Sequence, residues 1–120
     1  MAKILIIDDE EILRQLMEHV FSGDGHETIT AQDGEEGIAL AKSGAPDVIV
    51  TDMSMPKMTG WEMIKILKAD ADTKDIPIIA LTSHATADDR ATAFEAGISA
   101  YEEKPVDMAR LKTRIQELLA

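Results

Sequence analysis

Four short apolar runs in this chain each end in a polar residue, and no other feature constrains the fold as strongly. Ile4-Leu5-Ile6-Ile7 ends in Asp8-Asp9, Val48-Ile49-Val50-Thr51 in Asp52, and Ile78-Ile79-Ala80-Leu81 in Thr82. A last, shorter run carries Tyr101 and ends in Lys104-Pro105. Continuously apolar runs separated by helix-like segments read as strands of a parallel sheet, buried on both faces. In such sheets ligands bind beyond the carboxyl ends of the strands, where the strand order reverses. If all four runs share one sheet, Asp8, Asp9, Asp52, Thr82 and Lys104 meet at one rim.

The segments between the runs have helical spacing. Ile12, Leu13, Leu16, Met17, Val20 and Phe21 predict an inward stripe on a helix over residues 10–21, stopped by Ser22-Gly23-Asp24-Gly25. Glu27–Ala31 is a weak strand whose low apolar content suits an edge. Asp33 with Glu36 has capping-box form and opens a helix using Ile38, Ala39, Leu40 and Ala41. The third strand, over residues 47–51, delivers Asp52 into a loop. Thr59 with Glu62 opens the next helix, with Met63, Ile64 and Leu67 inward. A third box, Thr86 with Asp89, opens a thinly packed helix whose one large apolar residue is Phe94 and which Gly97 closes. Asp107 then caps a final helix striped by Met108, Leu111, Ile115, Leu118 and Leu119.

Five strand–helix alternations imply right-handed crossovers and an α/β fold, a doubly wound five-stranded parallel sheet. The order 2-1-3-4-5 keeps the strongest apolar runs central and makes strands one and three neighbours at the switch point. At 120 residues the chain suits one domain, residues 1–120. No segment approaches the ~20 apolar residues of a membrane span, and Met1-Ala2-Lys3 leads straight into the first strand without room for a signal peptide. The lack of cysteine fits a reducing, cytoplasmic setting. A net charge of -11 opposes direct binding to nucleic acid or anionic lipid, so partners should offer basic or apolar surfaces.

An isolated aspartate at a strand end is ordinarily a solvated helix cap, and Asp9 before Glu10-Glu11 suits that role. Three carboxylates at one rim are different, because they repel and one would be protonated unless a cation sat among them. An oxygen-rich site with room for water suits Mg²⁺. Such an ion would leave Asp52 ionised and free to act as a carboxylate nucleophile toward phosphorus. Lys104 could then supply positive charge to the equatorial oxygens, and Thr82 a directed hydrogen bond. Pro105 fixes the turn that holds Lys104 and allows a cis peptide bond there.

The segments Ile7-Asp8-Asp9-Glu10, Asp52-Met53-Ser54-Met55-Pro56-Lys57-Met58-Thr59-Gly60, Leu81-Thr82-Ser83 and Tyr101-Glu102-Glu103-Lys104-Pro105, in that order, resemble the response-regulator receiver domain of two-component signalling. The resemblance covers essentially the whole chain and is nearest in kind to the stand-alone, flavodoxin-like regulators of chemotaxis. It implies that Asp52 is the phosphoacceptor, loaded by a sensor histidine kinase or a histidine phosphotransfer protein. It implies a Mg²⁺ site of Asp9, Asp52 and the Ser54 carbonyl, with Asp8 assisting through water. Thr82 and Lys104 would hold the phosphoryl oxygens. Tyr101 would swing inward as Thr82 is drawn to the phosphate, reshaping the face of the fourth helix, fifth strand and fifth helix for a downstream protein target. Such a switch catalyses no reaction beyond its own phosphorylation and dephosphorylation.

Glu102 and Glu103 stand where the family more often has an apolar residue, and they predict a partly acidic output face. The resemblance places Ser54 and His84 in slots that tune phosphoryl lifetime in receivers, although His84 by itself reads as a solvated loop histidine. Trp61, close to the Asp52 loop, is a candidate fluorescence reporter. A Mg²⁺-dependent phosphohydrolase of the haloacid-dehalogenase kind is the alternative, since it too uses an Asp nucleophile, Thr or Ser, Lys and an acidic pair. Those enzymes usually need a second Asp two residues after the nucleophile as general acid. Here that place is Ser54, and the chain is too short for a substrate cap. A degenerate receiver that merely docks partners is opposed by the presence of all five expected site residues.

Overall fold

The computed structural model describes residues 1–83 and 87–120. Its elements run β1 (Lys3–Ile7), α1 (Glu11–Gly23), β2 (Glu27–Ala31), α2 (Gly34–Gly44), β3 (Val48–Asp52), α3 (Gly60–Ala69), β4 (Ile78–Thr82), α4 (Ala87–Ala96), β5 (Ala100–Glu103) and α5 (Met108–Leu119). All strand pairings are parallel and the order is β2-β1-β3-β4-β5. The expected doubly wound α/β sheet is therefore present, with β1 and β3 adjacent.

Strand side chains alternate between two apolar layers. Leu5, Ile7, Ile49 and Ile78 face one layer with Met63, Ile64 and Leu67 of α3. Ile4, Ile6, Val48, Val50, Ile79 and Leu81 face the other with Met17, Phe21, Leu111 and Ile115. Both faces being covered is what makes the runs continuously apolar. β2 is an edge strand, as its composition predicts, with a single buried residue, Ala31.

Caps follow the sequence in most places. Thr59 and Glu62 form a complete capping box, and Asp107 accepts from the Arg110 N–H. At α2 the Asp33 carboxylate accepts from the Glu36 N–H, but Glu36 turns back to accept from the Gln32 N–H, one residue before the cap. The box centred on Thr86 lies outside the described residues, as does His84.

The stripe predicted for α1 is too broad. Met17 and Phe21 are buried, whereas Ile12 is 83% and Leu16 47% exposed. Six apolar residues on a short helix span more than the arc that one neighbouring layer covers, so the flanks of the stripe face solvent. Ala39 of α2 is likewise exposed. On α4 the inward residue is Ala93, while Phe94 is 44% exposed, so this helix packs even more thinly than its composition predicts.

Candidate functional site

Each candidate side chain sits at or just past the carboxyl edge of its strand. Asp8 follows β1, Asp52 ends β3, Thr82 ends β4 and Lys104 follows β5. The Lys104 N–H donates to the Thr82 carbonyl at 2.7 Å, locking the turn after β5 onto β4. The Lys104-Pro105 bond is cis. From that turn the Lys104 ammonium reaches over β4, 3.2 Å from Asp8 Oδ2 and 3.4 Å from Asp52 Oδ2.

One oxygen each of Asp8, Asp9 and Asp52 lies within 4.8 Å of the others. Asp8 and Asp52 are buried and Asp9 is exposed. Asp9 does not cap α1. The N-cap is Glu10, whose side chain caps nothing, and its N–H goes to Asp8 Oδ1 at 2.8 Å. Asp9 is therefore left projecting at the rim. The Ser54 N–H donates to Asp52 Oδ1 at 3.2 Å, bending the loop back over the phosphoacceptor candidate.

The electrostatics follow from burial. Loss of water pushes the Asp8 carboxyl above its ordinary value, against the pull of the Glu10 N–H and Lys104. Loss of water also raises Asp52, against its Ser54 N–H bond, and the neighbouring Asp8 charge raises it further. Burial opposes charge on Lys104, yet Asp8 and Asp52 together outweigh it and raise its pKa. Two raised carboxylates sharing one ammonium is a site short of positive charge.

The donor set fits a divalent cation. Among the described residues, buried Asp8 Oδ2 has the Lys104 ammonium at 3.2 Å and no other donor, so a lone pair remains for a cation. Hard carboxylate oxygens clustered beside open solvent are the ligands Mg²⁺ takes. Thr82 is half-buried at the same rim. Tyr101 lies opposite Ala80 in the register and is 6% exposed, its ring already turned into the core.

Several contacts here were missed by the sequence reading. Arg14 Nη1 donates to the Asp8 carbonyl at 2.8 Å, bracing the turn from β1 into α1. Glu10 approaches Lys104 at 3.9 Å. Glu102, expected to lend acidity to the surface, is instead 7% exposed and pairs with Arg114 at 3.2 Å and Arg110 at 3.8 Å. The four-residue spacing of those arginines was a legible signal, since it puts both on one helix face.

Comparison with known proteins agrees with this geometry. Residues 4–116 match the response regulator receiver domain, and the chain belongs to that family of two-component signalling proteins. Chemotaxis protein CheY4 of Vibrio cholerae is similar over 99% of both chains, at 34% identity and a TM-score of 0.93. The polar-differentiation response regulator DivK of Brucella anthropi is 33% identical, over 97% of this chain and 94% of DivK. The probable transcriptional regulator ycf27 of Porphyridium aerugineum is 38% identical over 98% of this chain, which spans about half (48%) of that relative's length. Receiver domains are signalling switches rather than classical enzymes, which leaves the phosphohydrolase alternative without support. Receiver domains generally bind Mg²⁺ at an acidic pocket, as the Asp8, Asp9 and Asp52 group suggests here. No helix among the described residues is long and apolar enough to cross a membrane.

Proposed function

We propose that this chain is a single receiver domain that takes a phosphoryl group on Asp52 from a phosphohistidine of a sensor histidine kinase or histidine phosphotransfer protein. An Asp52 carboxylate oxygen attacks phosphorus, the P–O bond forms, the P–N bond breaks, and the imidazole leaves with a proton. Asp8, Asp9, Asp52 and the Ser54 carbonyl would hold Mg²⁺, which supplies positive charge to the phosphoryl oxygens when bound. Lys104 neutralises part of the charge on the transferred group and Thr82 donates its hydroxyl to it. The domain catalyses its own phosphorylation and dephosphorylation and no other reaction.

The observation that carries this reading is the convergence of three carboxylate oxygens within 4.8 Å and of Lys104 Nζ within 3.4 Å of Asp52. Residues from three separate strands arrive at one point that has acceptor, counter-charge and room for a cation. An apolar groove of about 550 Å³ lined by Leu13, Leu16, Pro105, Val106 and Met108 also includes Lys104 and Glu10. A donor helix seated on it would bring its phosphohistidine within reach of the rim, which gives the exposed flank of α1 a use.

Binding of phosphate is then read out on the face formed by α4, β5 and α5, through Thr82 and Tyr101, to a downstream protein target. The net charge of -11 argues against nucleic acid or an anionic membrane as that target. Treatment with acetyl phosphate and Mg²⁺ should add one phosphoryl group, detected by intact-protein mass spectrometry, and Asp52→Asn should abolish it. Labelling on Ser or Thr, or undiminished labelling of the variant, would overturn the assignment.

A further inference from the structure

Tyr101 stands on β5, an edge strand, yet its ring is almost wholly buried. Part of the cover is a cation. The guanidinium carbon of Arg90, from α4, lies 5.7 Å from the ring centroid, over the ring. The surrounding cleft, about 230 Å³, is lined by Arg90, Tyr101, Glu102, Glu103, Arg110 and Arg114. Within it the Glu102 carboxylate is engaged by Arg110 and Arg114. Those two arginines serve the carboxylate, while Arg90 lies against the electron-rich face of the tyrosine.

This arrangement has a mechanical consequence. The ring cannot turn outward past the β5 edge unless the guanidinium moves off it. Among the described residues of α4, Ala93 is the buried one and Ala96 packs partly against the same core, so small side chains supply most of its apolar packing. The Arg90–Tyr101 contact adds to this thin packing at the place where α4 meets β5. We propose that Arg90 is a positioning residue for the switch: it clamps Tyr101 inward and so biases the α4–β5–α5 face toward its phosphorylated form. The inference rests on the switch reading of Tyr101 given above. By reciprocity, whatever favours the inward ring also favours occupation of the phosphoryl site.

The test is the affinity of the full chain for beryllofluoride with Mg²⁺, followed by Trp61 fluorescence, with Tyr101 ring resonances read by NMR. Arg90→Ala should weaken apparent beryllofluoride affinity roughly two- to fivefold, the size of an exposed cation–π contact, and shift the ring resonances toward their solvent-exposed values. Arg90→Lys should lie between Arg90→Ala and the parent protein. In a Tyr101→Ala background, Arg90→Ala should have no further effect, which a merely structural arginine would not reproduce. Unchanged affinity and unshifted resonances in Arg90→Ala, or additive losses in the double variant, would overturn the clamp and leave the phosphoacceptor reading intact. A parent protein that takes up no beryllofluoride would instead sink the switch reading itself.

Discussion

Lys104 Nζ and Asp52 Oδ2 lie 3.4 Å apart although β4 separates the strands that carry them. The lysine bridges that distance because the turn after β5 is tied to Thr82 and its side chain runs across the top of the sheet. It serves two buried acids at once, and its removal would leave both without a counter-charge.

Lys104→Ala should therefore destabilise the protein by about 2 kcal/mol at neutral pH in the presence of a chelator, since an uncompensated buried charge is costly. Asp8 and Asp52 have raised native pKa values, so acidification through them protonates the pair and removes the need for the ammonium. The deficit should shrink as pH falls. Urea unfolding at pH 7 and pH 4.5 measures this, and a deficit that grows with acid would contradict it. Lys104 itself is raised, so its stabilising share is fully present below the unfolded-state value and lost as pH climbs through the native one.

Asp8→Asn should have the opposite sign. Above the raised native pKa the ionised Asp8 costs stability, and that cost is relieved as pH falls through the native value. Without divalent ion at pH 7 the asparagine variant should be more stable than the parent by on the order of 1 kcal/mol, because a neutral amide loses less than a carboxylate when it leaves water. Added Mg²⁺ should raise the melting temperature of the parent and have much less effect on Asp8→Asn or Asp9→Ala. Calorimetric melts with and without Mg²⁺ decide the matter; equal Mg²⁺ responses in all three proteins would remove the acidic cluster as the binding site.

Gly60 opens α3 directly against the end of β3, where the phosphoacceptor candidate sits. A Cβ there would lie 2.7 Å from Met53 Cα and 2.8 Å from the Asp52 carbonyl, both backbone atoms that cannot swing aside. Gly60→Ala should cost about 1–3 kcal/mol, and should slow acetyl phosphate labelling through displacement of Asp52. Normal stability together with normal labelling would show that the loop shifts freely.

Adjacent glutamates on β5 should behave unlike one another. Glu102 is buried and paired with Arg114 and Arg110, which stay 44% and 65% exposed, so Glu102→Ala should cost about 0.5–1.5 kcal/mol through lost pairing. Glu103 is exposed, and Glu103→Ala should stay within about 0.5 kcal/mol of the parent. Equilibrium unfolding of the two variants gives the comparison; similar costs would mean the buried pair contributes nothing particular.

Much of this molecule is legible in the chain itself. The apolar runs mark four strands and a weaker segment marks β2. Asp33, Thr59 and Asp107 mark helix starts by local capping chemistry, which acts over three residues and needs no tertiary context. The rim residues are legible for a related reason: in a parallel sheet every strand points its carboxyl end the same way, so residues that end the runs share an edge.

What stays illegible depends on which surface meets which. Ile12 and Leu16 look no different from Met17 in sequence, and the reach of the neighbouring layer alone leaves them exposed. Glu102 reads as a charge on an edge, and its burial arises from two α5 arginines that fold down over it. Arg90 and Tyr101 are eleven residues apart on different elements, and no periodicity links them. Periodicity and capping are short-range and are written into the chain, so they specify the elements, their order and the edge where the acids collect. Counter-charges, lids and covered flanks arise when separate helices settle against the sheet, and that depends on packing distances that no local pattern encodes.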